Sequence, residues 1–153
     1  WFFDRVTHGR PIPLPNQGLY ITQLGHVADL AAAMVATLGN PKAMGQVYNI
    51  ADTRYTTFRG LAQACATAAG RDARTLELVS YDPARVDSAH RKAFPLRQQH
   101  FFTSIEKALT DLDWRPQYDL AAGLKDSYEN DYLAAGRDQK SVDFSVDEIL
   151  LGA

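Results

Sequence analysis

Between His90 and Phe102 the chain gathers side chains suited to gripping a nucleic acid. Arg91, Lys92 and Arg97 supply positive charge, His90 and His100 add ring nitrogens, and Phe94, Phe101 and Phe102 are interleaved with them. Cations attract phosphates and flat rings stack on unpaired bases, a combination that holds single-stranded or looped RNA without a sequence code. Arg91, Lys92, Arg97, His90, His100 and Phe94 are therefore the candidate nucleic-acid contacts. The competing reading makes the phenylalanines core anchors that pin a long loop, since Phe strongly prefers burial.

The distribution of charge sharpens this choice. The 153 residues carry a net charge of −2, but residues 1–84 hold +1, residues 85–110 hold +3 and residues 111–153 hold −6. A nucleic-acid surface must then be local rather than global. The plainer alternative is a basic loop engaged in ordinary ion pairs and an acidic helix face turned to water.

Other chemistry leaves little trace. No glycine-rich dinucleotide loop, phosphate-binding loop, Tyr-x-x-x-Lys pair or His-Glu-x-x-His occurs. His8, His26, His90 and His100 are scattered without carboxylates at ligand spacing, so no metal site is expected. His26 stands at a strand-to-helix junction, where capping or packing accounts for it. The single cysteine, Cys65, lies on an apolar stripe and reads as buried and inert. It excludes an internal disulfide framework and fits a reducing compartment. No catalytic residue can be assigned. The 46% hydrophobic and 22% charged composition suits a globular domain and excludes disorder. No run approaches the roughly 18 apolar residues of a membrane span. The opening Trp1-Phe2-Phe3, without an initiator methionine, suggests a piece of a longer protein.

The elements that must position the candidate residues alternate between helix and strand. The first nine residues predict a helix stopped at Gly9. The proline-rich run 11–15 predicts an edge strand or extended segment, and a turn at Asn16-Gln17-Gly18 leads to a strand over 19–22. Val27, Leu30, Ala31, Met34, Val35 and Leu38 recur on one helix face, followed by a short strand over 46–51. Thr56 or Thr57 caps a helix with Phe58, Leu61, Ala62, Cys65 and Ala69 inward, closed by Gly70. A strand follows over 75–81, and 88–102 form the aperiodic basic loop. Ser104 caps a helix burying Ile105, Ala108, Leu109 and Leu112. Asp119 caps a longer one with Leu120, Leu124, Tyr128 and Tyr132 on one face, ended by Gly136. Residues 1–140 read as one α/β domain and 141–153 as a weakly alternating tail.

Several of these segments resemble a known superfamily. His26-Val27-Ala28-Asp29-Leu30, Gly45-Gln46-Val47-Tyr48-Asn49-Ile50, and Lys107-Ala108-Leu109 followed by Leu112-Asp113-Trp114-Arg115-Pro116 and Gly123-Leu124 resemble the extended short-chain dehydrogenases, the epimerase/dehydratase group. The resemblance implies the C-terminal, substrate-side part of an NAD(P)-binding Rossmann-like fold, with residues 47–50 returning to its sheet and the glycine-rich half outside this chain. Those epimerases place a diphosphate-gripping arginine where this chain has Thr22. If it acts as a nucleotide-sugar epimerase or dehydratase, Thr22 and Arg97 would face the substrate and NAD(P) would bind the full-length protein. No cofactor is expected in this portion.

A second resemblance is more specific. The His26-Val27-Ala28-Asp29-Leu30 form preceded by Thr22, together with Tyr81-Asp82-Pro83, the string from Lys92 to Phe102, and Gly136-Arg137-Asp138-Gln139-Lys140 with Phe144 and Asp147-Glu148-Ile149-Leu150, resembles the chloroplast stem-loop binding proteins and their cyanobacterial relatives. This implies RNA as partner, as a stem-loop in messenger or ribosomal RNA. It also implies ribosome association, endonucleolytic cleavage by the full-length protein, and a cytoplasmic location or, in a plant, the plastid stroma. A homo-oligomer, no membrane, and a non-catalytic assembly module complete the expectations.

Overall fold

The computed structural model describes residues 1–90 and 92–152, so the candidate contact Arg91 lies outside the described residues. Among the described residues, six α-helices and four short strands are arranged around three apolar clusters: α1 (Phe2–Thr7), β1 (Ile12–Pro15), β2 (Ile21–Thr22), α2 (Val27–Ala36), β3 (Thr56–Thr57), α3 (Phe58–Ala68), β4 (Leu78–Tyr81), α4 (Glu106–Asp111), α5 (Leu120–Asp126) and α6 (Ser145–Leu151). A π-helical stretch, Ser127–Leu133, prolongs α5. Among the described residues no helix is long and apolar enough to cross a membrane.

β1 runs parallel to β4 in the register Ile12↔Leu78 to Pro15↔Tyr81. Its prolines explain why the pairing stays two-stranded. Ile12 N donates to the Glu77 carbonyl at 2.8 Å, and strand alternation turns Pro13 and Pro15, which have no N–H, toward the other edge. α3 packs against this pair. Thr57 Oγ1 caps it by accepting from Gly60 N at 3.0 Å, and Phe58, Leu61, Ala62, Cys65 and Ala66 are buried. Burial pushes the Cys65 thiol up to about 12, which leaves it protonated and inert.

α2 departs from the usual reading of its pattern. Val27, Leu30, Met34, Val35 and Leu38 do share a face, and that face is exposed. Asp29 and Ala33 point inward instead. The cause is polar: the buried Asp29 carboxylate accepts from Gln117 N at 2.8 Å and Tyr118 N at 3.1 Å. Two charge-assisted bonds to otherwise orphaned amides set the helix rotation, and Ala33 fills the space against Ile105 and Ala108. The expected strand over 46–51 does not form, and residues 46–50 have no regular structure. No neighbouring strand among the described residues offers them a ladder, and Val47 is exposed.

The tail corrects a further expectation. Residues 141–152 do not trail from the domain, because α6 folds back onto it. Leu150 packs with Tyr81 and Val86, while Arg5 and Asp147 form a buried ion pair at 2.5 Å. The Trp1 ring lies 3.7 Å from the Arg5 guanidinium, and Arg10 pairs with Glu148. Removing one member of a buried pair strands the other charge. Arg5→Ala or Asp147→Ala should therefore destabilise the protein by about 3–5 kcal/mol, and the paired change Arg5→Met with Asp147→Leu by much less. Urea unfolding measures this; single variants as stable as the parent would mean that the pair does not hold α6.

Candidate nucleic-acid interface

The site begins with a turn that only glycine makes comfortably. Gly18 has φ +72°, and a Cβ there would meet Leu14 Cδ1 at 2.8 Å and Arg59 N at 3.0 Å. The turn delivers Tyr20 to Leu24 into a narrow slot between two distant segments. β2 pairs antiparallel with β3, Ile21↔Thr57 and Thr22↔Thr56. On its other edge Thr22 bridges Phe101, and Phe101 N donates to Ile21 O at 2.8 Å. Ile21 N donates to His100 Nδ1 at 3.1 Å. Gln23 fastens both neighbours: its Nε2 donates to Asp52 O at 2.7 Å and its Oε1 accepts from Thr103 N at 2.8 Å.

This lacing raises three rings into solvent. Tyr55, Phe101 and Phe102 are 61%, 48% and 55% exposed. The Tyr55 and Phe102 centroids lie 5.4 Å apart, and the Arg97 guanidinium stands 4.9 Å from the Phe101 centroid. Among the described residues no carboxylate forms an ion pair with Arg54 or Arg97. Rings left partly in water forgo part of the roughly 1.5–3 kcal/mol that full burial of each would give, and flat faces beside cations are the chemistry that stacks on a flat, anionic ligand.

The sequence-derived candidates do not stay together. Arg97 and His100 sit at this platform. Phe94 does not: it is 4% exposed and packs against Trp1, Phe2 and Phe58, which removes it as a stacking surface and makes it the core anchor of the loop. His90 and Lys92 line a separate hollow with Trp1, Arg5 and Asp143, and His90 Nδ1 bonds Asp87 Oδ2 at 2.8 Å. Sequence reading missed Tyr55 and Arg54, which lie outside the basic loop. The signal was the aromatic flanked by Arg54 and Thr56, and only the β2–β3 register brings it to Phe102.

Beside the platform is a hollow of about 280 Å³ lined by Thr22, Asp52, Arg54, Tyr55, Asp119 and Leu120, among others. Thr22 is buried there, and Arg97 is not among the lining residues. The carboxylates of Asp52 and Asp119 outnumber Arg54, a balance that opposes a phosphate. His26 is a helix cap: Nδ1 accepts from Ala28 N at 3.3 Å, Nε2 faces Asp126 Oδ2 at 3.0 Å, and the ring stacks on Tyr118 at 3.8 Å. Among the described residues no group of three or more His, Cys, Asp or Glu side chains is placed to hold a metal ion.

The His90–Asp87 contact can be tested by titration. The His90 hydrogen bond holds the Asp87 carboxyl below its ordinary value of 3.8. A lowered carboxylate stabilises the fold fully above that ordinary value and loses its contribution as pH falls through the depressed one. In His90→Ala the Asp87 midpoint, followed by NMR, should move back up toward 3.8; an unmoved midpoint would show that His90 is free of Asp87 in solution.

No protein-family model matches the chain. It is 50% identical over 151 residues to the chloroplast stem-loop binding protein of 41 kDa b of Arabidopsis thaliana, a match covering 99% of this chain and 39% of that protein. The chain thus spans well under half the length of this relative. Among solved structures it is similar to UDP-glucose 4-epimerase from Thermotoga maritima with UDP-glucose (24% identity, TM-score 0.67), over 89% of this chain and 38% of the other. It is also similar to dTDP-glucose 4,6-dehydratase from Bacillus anthracis in complex with NAD (22% identity, TM-score 0.60), over 86% and 39%. At those identities the solved structures establish the fold alone: the α/β arrangement of part of an extended short-chain dehydrogenase.

Proposed function

We propose that this chain belongs with the chloroplast stem-loop binding proteins, as the C-terminal part of an extended short-chain dehydrogenase fold, and that it binds RNA through Tyr55, Phe101, Phe102 and Arg97. The observation that carries the reading is two neighbouring exposed groupings, the Tyr55–Phe102 ring pair and the Phe101 ring under the Arg97 guanidinium. Unpaired bases stack on the rings, and the arginines take the phosphates on either side. The ligand is a stem-loop of messenger or ribosomal RNA, and the plastid stroma is the place of action. For the full-length polypeptide the reading includes association with ribosomes and endonucleolytic cleavage by residues outside this chain.

The rival, an NAD(P)-dependent epimerase or dehydratase of nucleotide sugars, has less support. Thr22 cannot supply the charge of the arginine that the epimerases carry at this position, and the hollow it lines is rich in carboxylates. Likeness of fold does not decide between the readings, because function resides in the site.

Fluorescence anisotropy with a labelled stem-loop RNA and the full-length protein tests the proposal. Tyr55→Ala and Phe102→Ala should each weaken binding about tenfold, within the ~1–3 kcal/mol of a base–ring stack. Arg97→Ala should weaken it and flatten the slope of log K against log salt by about one. Wild-type affinity in all three variants would overturn the assignment of the interface.

A further inference from the structure

Tyr55 and Phe102 meet at the surface, but the chain holds them in different ways. The backbone at Tyr55 is pinned on both sides: Thr56 pairs with Thr22, and Asp52 N donates to Leu24 O at 2.8 Å. The backbone at Phe102 is pinned by the bridge at Phe101, whose N donates to Ile21 O at 2.8 Å. On its far side the tie is a side chain, because Gln23 Oε1 accepts from Thr103 N at 2.8 Å. The next one along is the longer bond from Asn49 Nδ2 to Ser104 O at 3.3 Å. Gln23 Nε2 donates to Asp52 O at 2.7 Å, so a single amide spans β2 from the pinned segment to the other. The register explains that reach. Pairing Thr22 with both Thr56 and Phe101 sets Gln23, one residue on, between Tyr55 and Phe102.

We infer that Gln23 is the positioning residue of the Tyr55–Phe102 pair: its amide carries the fixed geometry at Asp52 across to Thr103 and so holds the Phe102 ring against Tyr55 as a stacking face for an unpaired base. The inference rests on the RNA-binding reading and deepens it. The bridge needs one donor and one acceptor at the end of a two-methylene stem, and glutamine has both. Glutamate offers acceptors only, lysine donors only and methionine neither. The Asp52 bond turns the amide so that its oxygen faces Thr103, and that oxygen then fixes the segment carrying Phe102. The ring itself is 55% exposed and lies 5.4 Å from Tyr55, centroid to centroid. A ring on an untied segment would have to be ordered when the base arrives, and affinity falls by that cost. Phe101 is independent of this device, since its own backbone is bonded to β2.

The test is a double-mutant cycle in the full-length protein, read by anisotropy of a labelled stem-loop RNA well below the unfolding midpoint of every variant. Gln23→Met keeps the length of the side chain and loses both bonds. It should weaken RNA binding about three- to tenfold, the cost of ordering one side chain and its segment. In a Phe102→Ala background the same substitution should change the affinity by less than about twofold, because a residue that acts through the ring has nothing left to act on. Ultraviolet cross-links to Gln23→Met should fall at Phe102 and persist at Phe101. Should Gln23→Met fail to fold, Gln23→Asn carries the same comparison, being uncharged and one methylene too short to reach both partners. Parental affinity in the Gln23 variant, where Phe102→Ala still weakens binding, overturns the inference and leaves the RNA reading standing. An equal loss with and without the Phe102 ring overturns it as well. Parental affinity in both Tyr55→Ala and Phe102→Ala overturns the ring pair as an RNA contact and this inference together.

Discussion

Two residues of backbone, Ile21 and Thr22, tie together stretches of chain some 35 and 80 positions away, because both edges of β2 are occupied. One edge takes Thr56 and Thr57 and the other takes Phe101. A strand this short has no stability of its own. It is held by what lies at its ends: the Gly18 turn, the His100 and Gln23 side-chain bonds, and the anchoring of Phe58 and Phe94 in the core directly behind it. Remove that double pairing and Tyr55, Arg97, Phe101 and Phe102 become unrelated surface residues. With it, Tyr55 meets Phe102 and Arg97 meets Phe101 in adjoining segments fixed by the strand pairing.

The same lacing explains how a fold shared with nucleotide-sugar enzymes can present different chemistry. The hollow bordered by Thr22 is still a concave site, but its carboxylates make it hospitable to donors rather than to a diphosphate. Arg97 stands outside it, over the Phe101 ring. Attraction for phosphate and attraction for bases are thereby placed side by side, as a flexible polyanion with unstacked bases requires. The buried Arg5–Asp147 pair contributes at a distance, because it brings α6 under Tyr81, Val86 and Ala93, next to the start of the basic loop.

Local signals were legible in the sequence, and long-range ones were less so. A cap at Thr56 or Thr57, the cap at Asp119, the inward stripe of α3 and the inertness of Cys65 follow from spacing and residue type alone. Periodicity in α2 identified residues that share a face, but whether a face is covered depends on other parts of the fold. Here two amides at Gln117 and Tyr118 claim Asp29, and the apolar stripe looks outward. The chain spans 39% of the length of its stem-loop binding relative, and no described residue packs over that stripe. Phe94 and Phe101 are the same side chain seven positions apart. One meets Trp1, Phe2 and Phe58 and is buried, and the other meets an edge of β2 and is not; no rule of composition separates them. Tyr55 was invisible for a related reason, since its partnership with Phe102 exists only in the strand register. The tail read as weak alternation because the ion pair that folds it as a helix joins residues 142 positions apart.

The most direct test of the account is to find where RNA touches the protein. Ultraviolet cross-linking of a stem-loop RNA to the full-length protein, followed by mass spectrometry of the joined peptides, reports which side chains lie against bases. Cross-links should concentrate at Tyr55, Phe101 and Phe102, with none at Phe94. Cross-links confined to other surfaces, with those three rings unmodified at saturating RNA, would contradict the central claim.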